Sequence, residues 1–238
     1  MAATPVDLSA AQRAAFGQLA DALAGIDLAA YSACGRDWRV PVLGLGPAYA
    51  PLCIFGRDPG RTEVEQQLPF IGRGGQLLRA GLHRHRLGLD EAAPAPSFDA
   101  SVAAGADVFW LNTVPYKPVG NKAWPMAVKR RFQPLVAELL LRAWQGRTVI
   151  VLGREAFFWF GIGQPAQTDA ALREFWARDD RYTTTLTIDY RHDGLARSLL
   201  LAPLPHPSPA NAAWFGRFPA LLAARLDQLA PPPPVYFR

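Results

Sequence analysis

Cysteine is scarce in this chain, and its scarcity excludes two common ways of stabilising a small protein. The 238 residues include two cysteines, Cys34 and Cys53. Two thiols do not make a disulfide framework, and they are too few for a four-ligand metal site built from cysteine alone. Charged residues make up only 19% of the chain and hydrophobic residues 50%, so the composition predicts a globular protein with a sizeable core.

Long hydrophobic runs are also missing. No apolar run approaches the length that spans a membrane, and the segment Met1–Asp7 lacks the basic and apolar regions of a signal peptide. We therefore expect a cytoplasmic protein that does not bind membranes. The formal net charge of +5 and the pI of about 9.6 favour a polyanionic partner.

Three motifs that assign functions to α/β proteins are absent. No Gly-Lys-Ser/Thr follows the glycine-rich stretch at residues 72–75, and neither G-x-G-x-x-G nor G-x-S-x-G occurs there. An unrelated α/β hydrolase or a nucleotide-binding protein is therefore the least favoured interpretation.

The chain is organised around the stretch from Pro51 to Leu78. The apolar run Leu52–Phe55 predicts a buried parallel strand, and Gly56-Arg-Asp-Pro-Gly60 predicts a sharp turn after it. This turn places Arg57 and Asp58 at the carboxyl end of the strand, which is where ligands bind in open α/β sheets. An isolated Asp-Pro-Gly is also a common turn without chemistry, so the other strand ends decide its meaning.

Two further segments place polar side chains at strand ends. A second buried run, 108–111, ends at Asn112, and a later strand leads into the stiff loop Pro205–Pro209, which carries His206 and Ser208. Each of these residues also has an interpretation without a function. Asn112 would then only cap a strand, His206 would be a structural histidine, and Arg57 would form a salt bridge with Glu63 or Glu65.

The remaining pattern predicts a three-layer α/β/α fold with a central, mainly parallel, four-stranded sheet. We expect one domain over residues 1–230, with an N-terminal helix in 1–30 packed on it and a Pro-rich tail over 231–238. The predicted helices cover about 9–24, 73–87, 126–144 with Pro134 as a kink or restart, and 210–230. The third strand covers 147–152, and a hairpin covers 182–190 and 197–202. Loops are expected over 27–50, between Gly60 and Pro69, over 88–106 and over most of 161–181.

Five motifs in order resemble the uracil-DNA glycosylase superfamily, over about residues 50 to 225. The superfamily carries G-x-x-P-G, P-F-x-G-x-x-G-x-L-L, a strand-end Asn, L-G-x-x-A and H-P-S. In this chain the corresponding segments are 56–60, 69–78, Asn112, 152–156 and 206–208.

Within the superfamily the chain is most similar to the family-four enzymes, which carry a four-cysteine iron–sulfur cluster. Cys34 falls near one ligand position, but Tyr31, Tyr116 and Phe132 stand where the other three would be. Since such a cluster needs about four thiolates, we expect no cofactor and no metal. The first motif also departs from family four, because Arg57 replaces its acid and Asp58 instead matches family one.

The resemblance implies a monofunctional glycosylase that flips uracil out of DNA and hydrolyses its N-glycosidic bond in base-excision repair. It implies catalytic roles for Asp58 and His206, with Gly56, Arg57, Phe70 and Asn112 binding the base. Candidate DNA contacts are Ser208, Lys122 and Asn211. The expected partner is uracil-containing DNA, single- or double-stranded. We expect the protein to be a monomer of bacterial type, associated with the nucleoid in the cytoplasm.

Two other functions remain open from the sequence. The chain is alternatively a glycosylase for another deaminated base, hypoxanthine or xanthine. The other possibility is a protein that binds uracil or abasic DNA without turnover.

Overall fold

The computed structural model describes residues 4–229, so the predicted Pro-rich tail at 231–238 lies outside the described residues. Five strands form one sheet: β1 (Leu52–Gly56), β2 (Val108–Asn112), β3 (Thr148–Leu152), β4 (Leu186–His192) and β5 (Leu195–Leu204). Ten α-helices are described: α1 (Ala10–Asp21), α2 (Leu28–Ala33), α3 (Arg61–Gln66), α4 (Arg73–Leu87), α5 (Phe98–Ala103), α6 (Met126–Glu138), α7 (Arg154–Trp159), α8 (Ala166–Ala177), α9 (Ala212–Phe215) and α10 (Phe218–Leu229).

The sheet has the order β2-β1-β3-β5-β4, with every neighbouring pair parallel except β4 and β5. The expected three-layer α/β fold is confirmed, but the sheet has five strands rather than four. The antiparallel edge strand is β4, which lies in the hairpin predicted over 182–190 and 197–202 and pairs with β5 through a tight turn at Asp193 and Gly194. Both turn residues have positive φ, 47° and 71°, which suits a two-residue hairpin.

Alternate residues of the parallel strands pack on opposite faces of the sheet. Cys53 and Phe55 of β1 join a large core that includes residues of α1, α6 and α7, whereas Ile54 joins a smaller core with residues of α4 and α10. Both faces of the sheet are therefore covered, as the continuous apolar runs predicted. The strands therefore present polar groups for a site chiefly at their ends.

The N-terminal helix begins as its sequence indicates. The Ser9 hydroxyl accepts the Gln12 backbone N–H and the Gln12 side chain accepts the Ser9 backbone N–H, which completes a capping box. Phe16 is fully buried and stacks 6.4 Å from Phe132 of α6. The helix thus packs on the main body.

Several predicted loops contain helices. Short helices α2, α3 and α5 lie in stretches expected to be irregular, and α8 is longer than the short helical piece expected in 161–181. The helix after Pro125 continues through Pro134 and ends in a π-helical turn at 139–143, and the predicted final helix is divided into α9 and α10. Among the described residues, none of the helices is long and apolar enough to cross a membrane.

Candidate active site

A cavity of about 320 Å³ lies at the carboxyl edge of the sheet, where the loops after β1, β2 and β5 meet. This volume is in the range of small-molecule sites. Of the nine site residues predicted from the sequence, seven line the cavity: Gly56, Arg57, Asp58, Phe70, Asn112, His206 and Ser208. The parallel strands therefore bring together residues that are up to 152 positions apart in the chain.

Asp58 is a buried carboxyl group, with its side chain only 1% exposed. The Thr113 hydroxyl donates to its Oδ1 at 3.4 Å, and its Oδ2 lies 3.6 Å from the Arg57 guanidinium. Burial raises the pKa of Asp58 to about 6, although Arg57, the cation of Lys129 and the Trp124 backbone N–H favour the charged form. At neutral pH Asp58 is mostly ionised, in surroundings that solvate it poorly.

Asn112 has a fixed amide orientation. Its Nδ2 donates to the backbone carbonyl of Arg57, which can only accept, so the carbonyl oxygen Oδ1 faces the other way. Asn112 is 2% exposed, and its Oδ1 has no hydrogen-bond partner among the described residues. The site therefore contains a buried acceptor that a donor from a bound molecule would satisfy.

His206 is neutral in this environment. Burial, together with the positive charge of Arg57, lowers its pKa to about 4. Its Nδ1 is buried without a hydrogen-bond partner in residues 4–229. A neutral imidazole can donate one hydrogen bond to a substrate, but it carries no extra proton to give away near pH 7.

Phe70 occupies an unusual backbone conformation at the cavity wall. Its φ is +57°, which costs a bulky residue of order 1–3 kcal/mol and persists only where the surroundings hold it. The peptide groups around it are held by two side chains, which we call the Phe70 clamp: Glu63 and Arg79. A Cβ at Gly56 would come within 2.5 Å of the Phe70 ring, so a glycine at the end of β1 is what lets the ring lie there.

The Phe70 clamp consists of charged groups that bind backbone atoms. The Glu63 carboxylate accepts the N–H groups of Ile71 at 3.2 Å, Gly72 at 2.7 Å and Gly60 at 3.1 Å. Buried Arg79 donates to the carbonyls of Phe70 at 2.8 Å and Pro69 at 3.0 Å. Glu63 thus acts on the backbone of both cavity loops, and the Arg57 guanidinium lies 3.6 Å from the Asp58 carboxylate.

Two of the predicted DNA contacts lie outside the cavity lining. Lys122 is exposed beyond the short 3₁₀ turn after β2, and Asn211 donates to the backbone carbonyl of His206 at 3.3 Å. Asn211 therefore holds the loop that carries His206. Ser208 lines the cavity, and its hydroxyl accepts the Ala210 backbone N–H at 3.3 Å.

The sequence analysis missed two residues that act on Asp58, namely Thr113 and Lys129, and also Glu155, the partner of Lys129. Thr113 contacts the Asp58 carboxylate directly, and buried Lys129 forms a close ion pair with Glu155 while its charge lowers the pKa of Asp58. Glu155 lies within the L-G-x-x-A segment, which was a usable signal. Nothing in the sequence pattern around Lys129 singles it out, because it lies on the buried face of α6.

The positions corresponding to iron–sulfur ligands do not fit such a cluster. They hold one thiol, Cys34, and three buried rings. The Tyr31 hydroxyl accepts the Lys117 backbone N–H at 3.2 Å, and the Tyr116 hydroxyl donates to the carbonyl of Arg39 at 2.9 Å. Tyr116 packs 5.6 Å from Phe132, so aromatic side chains fill this part of the core.

Together, the fold and the site define an α/β protein with a base-sized cleft at the end of a parallel sheet, containing a carboxylate, an amide, a histidine and an aromatic ring. The sequence model of the uracil DNA glycosylase superfamily matches residues 43–230, and the chain belongs to that superfamily. Membership indicates a DNA glycosylase kind of function, a hydrolase that acts on DNA in base-excision repair. No curated protein matches the sequence.

Proposed function

We propose that this protein is a monofunctional uracil-DNA glycosylase. The observation that carries the proposal is the orientation of Asn112, whose buried Oδ1 requires a hydrogen-bond donor. Uracil presents a ring N–H on its pairing edge, whereas cytosine presents a bare ring nitrogen at that position and an amino group beside it. A cytosine bound in the same position as uracil would therefore place its bare nitrogen against Oδ1, and an unpaired buried acceptor costs about 1–3 kcal/mol.

The other groups of the cavity support a flipped pyrimidine. The base leaves the DNA stack to enter the cavity and lies against the Phe70 ring, which supplies a flat apolar face. The neutral imidazole of His206 donates a hydrogen bond to a carbonyl oxygen of the ring. This bond strengthens as negative charge develops on the base in a site with little water.

Asp58 acts on the sugar side of the bond. As the C1′–N bond breaks, both electrons go to the base and positive charge develops on the sugar, which the Asp58 carboxylate stabilises. A water molecule then attacks C1′ and loses its proton to Asp58. None of the described residues that line the cavity is a lysine, which favours water over an amine as the nucleophile.

Hypoxanthine is the second candidate base. Its ring also presents an N–H on the pairing edge, so it satisfies the Asn112 acceptor in the same way. A protein that binds the base without cleavage is disfavoured by the buried Asp58, whose raised pKa is a cost that binding alone does not require.

The test is release of uracil from a single-stranded oligonucleotide with one deoxyuridine, without added metal. We expect the wild-type protein to leave an abasic site that breaks only on alkali treatment, and Asp58→Asn to slow release by about 10²–10⁴-fold. Asp189→Asn is the matched control, because Asp189 is exposed on the edge strand β4. A matched oligonucleotide with one deoxyinosine is tested alongside. Release of hypoxanthine alone would transfer the proposal to that base, and tight binding of the deoxyuridine oligonucleotide without release would overturn it.

A further inference from the structure

Arg57 places a cation inside the cavity, beside both proposed catalytic residues. Its side chain is 24% exposed and lies 3.6 Å from the Asp58 carboxylate. Its positive charge also lowers the pKa of His206, and its backbone carbonyl orients Asn112. One residue therefore contacts or electrostatically affects each of the three polar groups of the site.

The departing base becomes negatively charged as its bond to the sugar breaks. Breaking the C1′–N bond leaves an electron pair on the ring nitrogen, so the base leaves as an anion unless something protonates it. The neutral His206 has no proton to transfer to it near pH 7. The only proton released is that of the attacking water, which goes to Asp58, and the base anion takes its proton later from solvent.

We propose, on the basis of the glycosylase function above, that the Arg57 guanidinium is a further catalytic group that stabilises the negative charge of the departing base. A fixed cation in a water-poor cavity stabilises developing charge far better than in bulk solvent. The substrates of the site are then bases whose ring N–H is acidic enough to leave as anions, such as uracil, 5-halogenated uracils and hypoxanthine. Adenine is a poor substrate, because it leaves readily only after protonation.

The effect of Arg57 is separable from its structural role by varying the acidity of the leaving base. Fluorine at C5 withdraws electrons, so 5-fluorouracil is a better anionic leaving group than uracil. Single-turnover release of both bases is measured from matched single-stranded oligonucleotides with wild type, Arg57→Gln and Arg57→Lys. We expect Arg57→Gln to slow uracil release about 10²-fold and to raise the ratio of 5-fluorouracil to uracil rates several-fold, because one removed charge-stabilising donor has roughly this effect.

Two comparisons keep the result specific. Arg57→Lys retains the charge, so its rate ratio should stay near that of the wild type. Arg61→Gln removes an exposed arginine from the cavity rim, and its rate ratio should also be unchanged even if DNA affinity falls. Thermal unfolding of each variant checks that it is folded.

The outcomes distinguish this proposal from the one on which it rests. If the wild type releases neither base, both proposals fail. If the wild type is active and Arg57→Gln shows an unchanged rate ratio or a faster release, only the role of Arg57 is overturned. If Arg57→Gln does not fold, inhibition of the wild type by free 5-fluorouracil is measured instead, from about pH 7 to about pH 9, the range in which the free base ionises. Inhibition that weakens as the base ionises would contradict the proposal.

Discussion

At the scale of single residues, Asp58 is held in a state that lowers the stability of the protein. Its carboxyl group is buried, and burial is the largest influence on its pKa. Because the folded pKa lies above the ordinary value of 3.8, the folded chain binds this proton more tightly than the unfolded chain does. The stability that results is fully present below about pH 4 and is lost as the pH rises through about 6.

We predict that Asp58→Asn increases the free energy of unfolding at pH 8 and has little effect at pH 4. A pKa raised to about 6 corresponds to roughly 3 kcal/mol, which is an upper value for the gain. Chemical denaturation at the two pH values measures it, with Asp189→Asn as the control that shows no such pH dependence. An equal effect of Asp58→Asn at both pH values would show that Asp58 is not strained by ionisation.

At the scale of elements, the segment between α3 and α4 places the Phe70 ring through backbone contacts on both sides. Glu63 binds the N–H groups after Phe70, and Arg79, one turn and a half into α4, binds the carbonyls at and before it. Arg79 is 2% exposed and also lies over the Trp110 ring at 4.2 Å. These contacts are what hold Phe70 at positive φ.

We predict that Arg79→Met lowers activity because the Phe70 ring loses its position. The expected loss of stability is about 2–4 kcal/mol, since buried carbonyls lose their donors. In a Phe70→Ala background the same substitution should reduce activity much less, and a double-mutant cycle in kcat/KM measures this coupling.

The matched control for Arg79 is Arg225 of α10. It is equally buried, and burial lowers the pKa of both arginines to about 10. Arg225→Met should lower the melting temperature without any coupling to Phe70. If both arginines showed equal coupling to Phe70 in kcat/KM, the effect of Arg79 on activity would be explained by lost stability and not by the position of the Phe70 ring.

At the scale of the whole molecule, the excess positive charge is modest and its placement matters more than its total. Arg57, Arg61 and Arg73 line the cavity, whereas several other basic side chains pair with acidic residues elsewhere. The basic run at the end of α4 illustrates this, because His85 lies 3.2 Å from Asp227 and Arg86 pairs with Asp107. Two residues of that run therefore pair with acidic side chains of neighbouring segments.

We predict that exposed Lys122 contacts a DNA phosphate. Lys122→Gln should weaken binding to all DNA sequences alike and reduce the slope of log affinity against log salt by about 1. Fluorescence anisotropy at salt concentrations from about 50 to about 200 mM measures the slope. Arg173→Gln is the control, because Arg173 is exposed on α8 and already pairs with Asp169 at 2.8 Å. An unchanged slope for Lys122→Gln would remove it from the interface.

The sequence alone determined the strands, the turn after β1 and the residues at strand ends. Continuous apolar runs specify buried parallel strands, and the carboxyl ends of parallel strands meet at one edge, so Asp58, Asn112 and His206 were predictable as neighbours. The short helices α2, α3 and α5 were missed because six-residue helices depend on capping and tertiary packing more than on periodicity. β4 was predicted as a hairpin strand over 182–190, but the sheet was expected to contain four strands, and the pattern of β4 shows one buried face only, as on the edge of a sheet.

Tertiary structure alone decided how the site residues are tuned. That Asn112 presents its oxygen follows from the Arg57 carbonyl, and that Phe70 adopts positive φ follows from Glu63 and Arg79. The raised pKa of Asp58 and the lowered pKa of His206 follow chiefly from burial. Burial and orientation arise from contacts between distant segments, whereas local sequence pattern specifies only which residues arrive at the edge of the sheet.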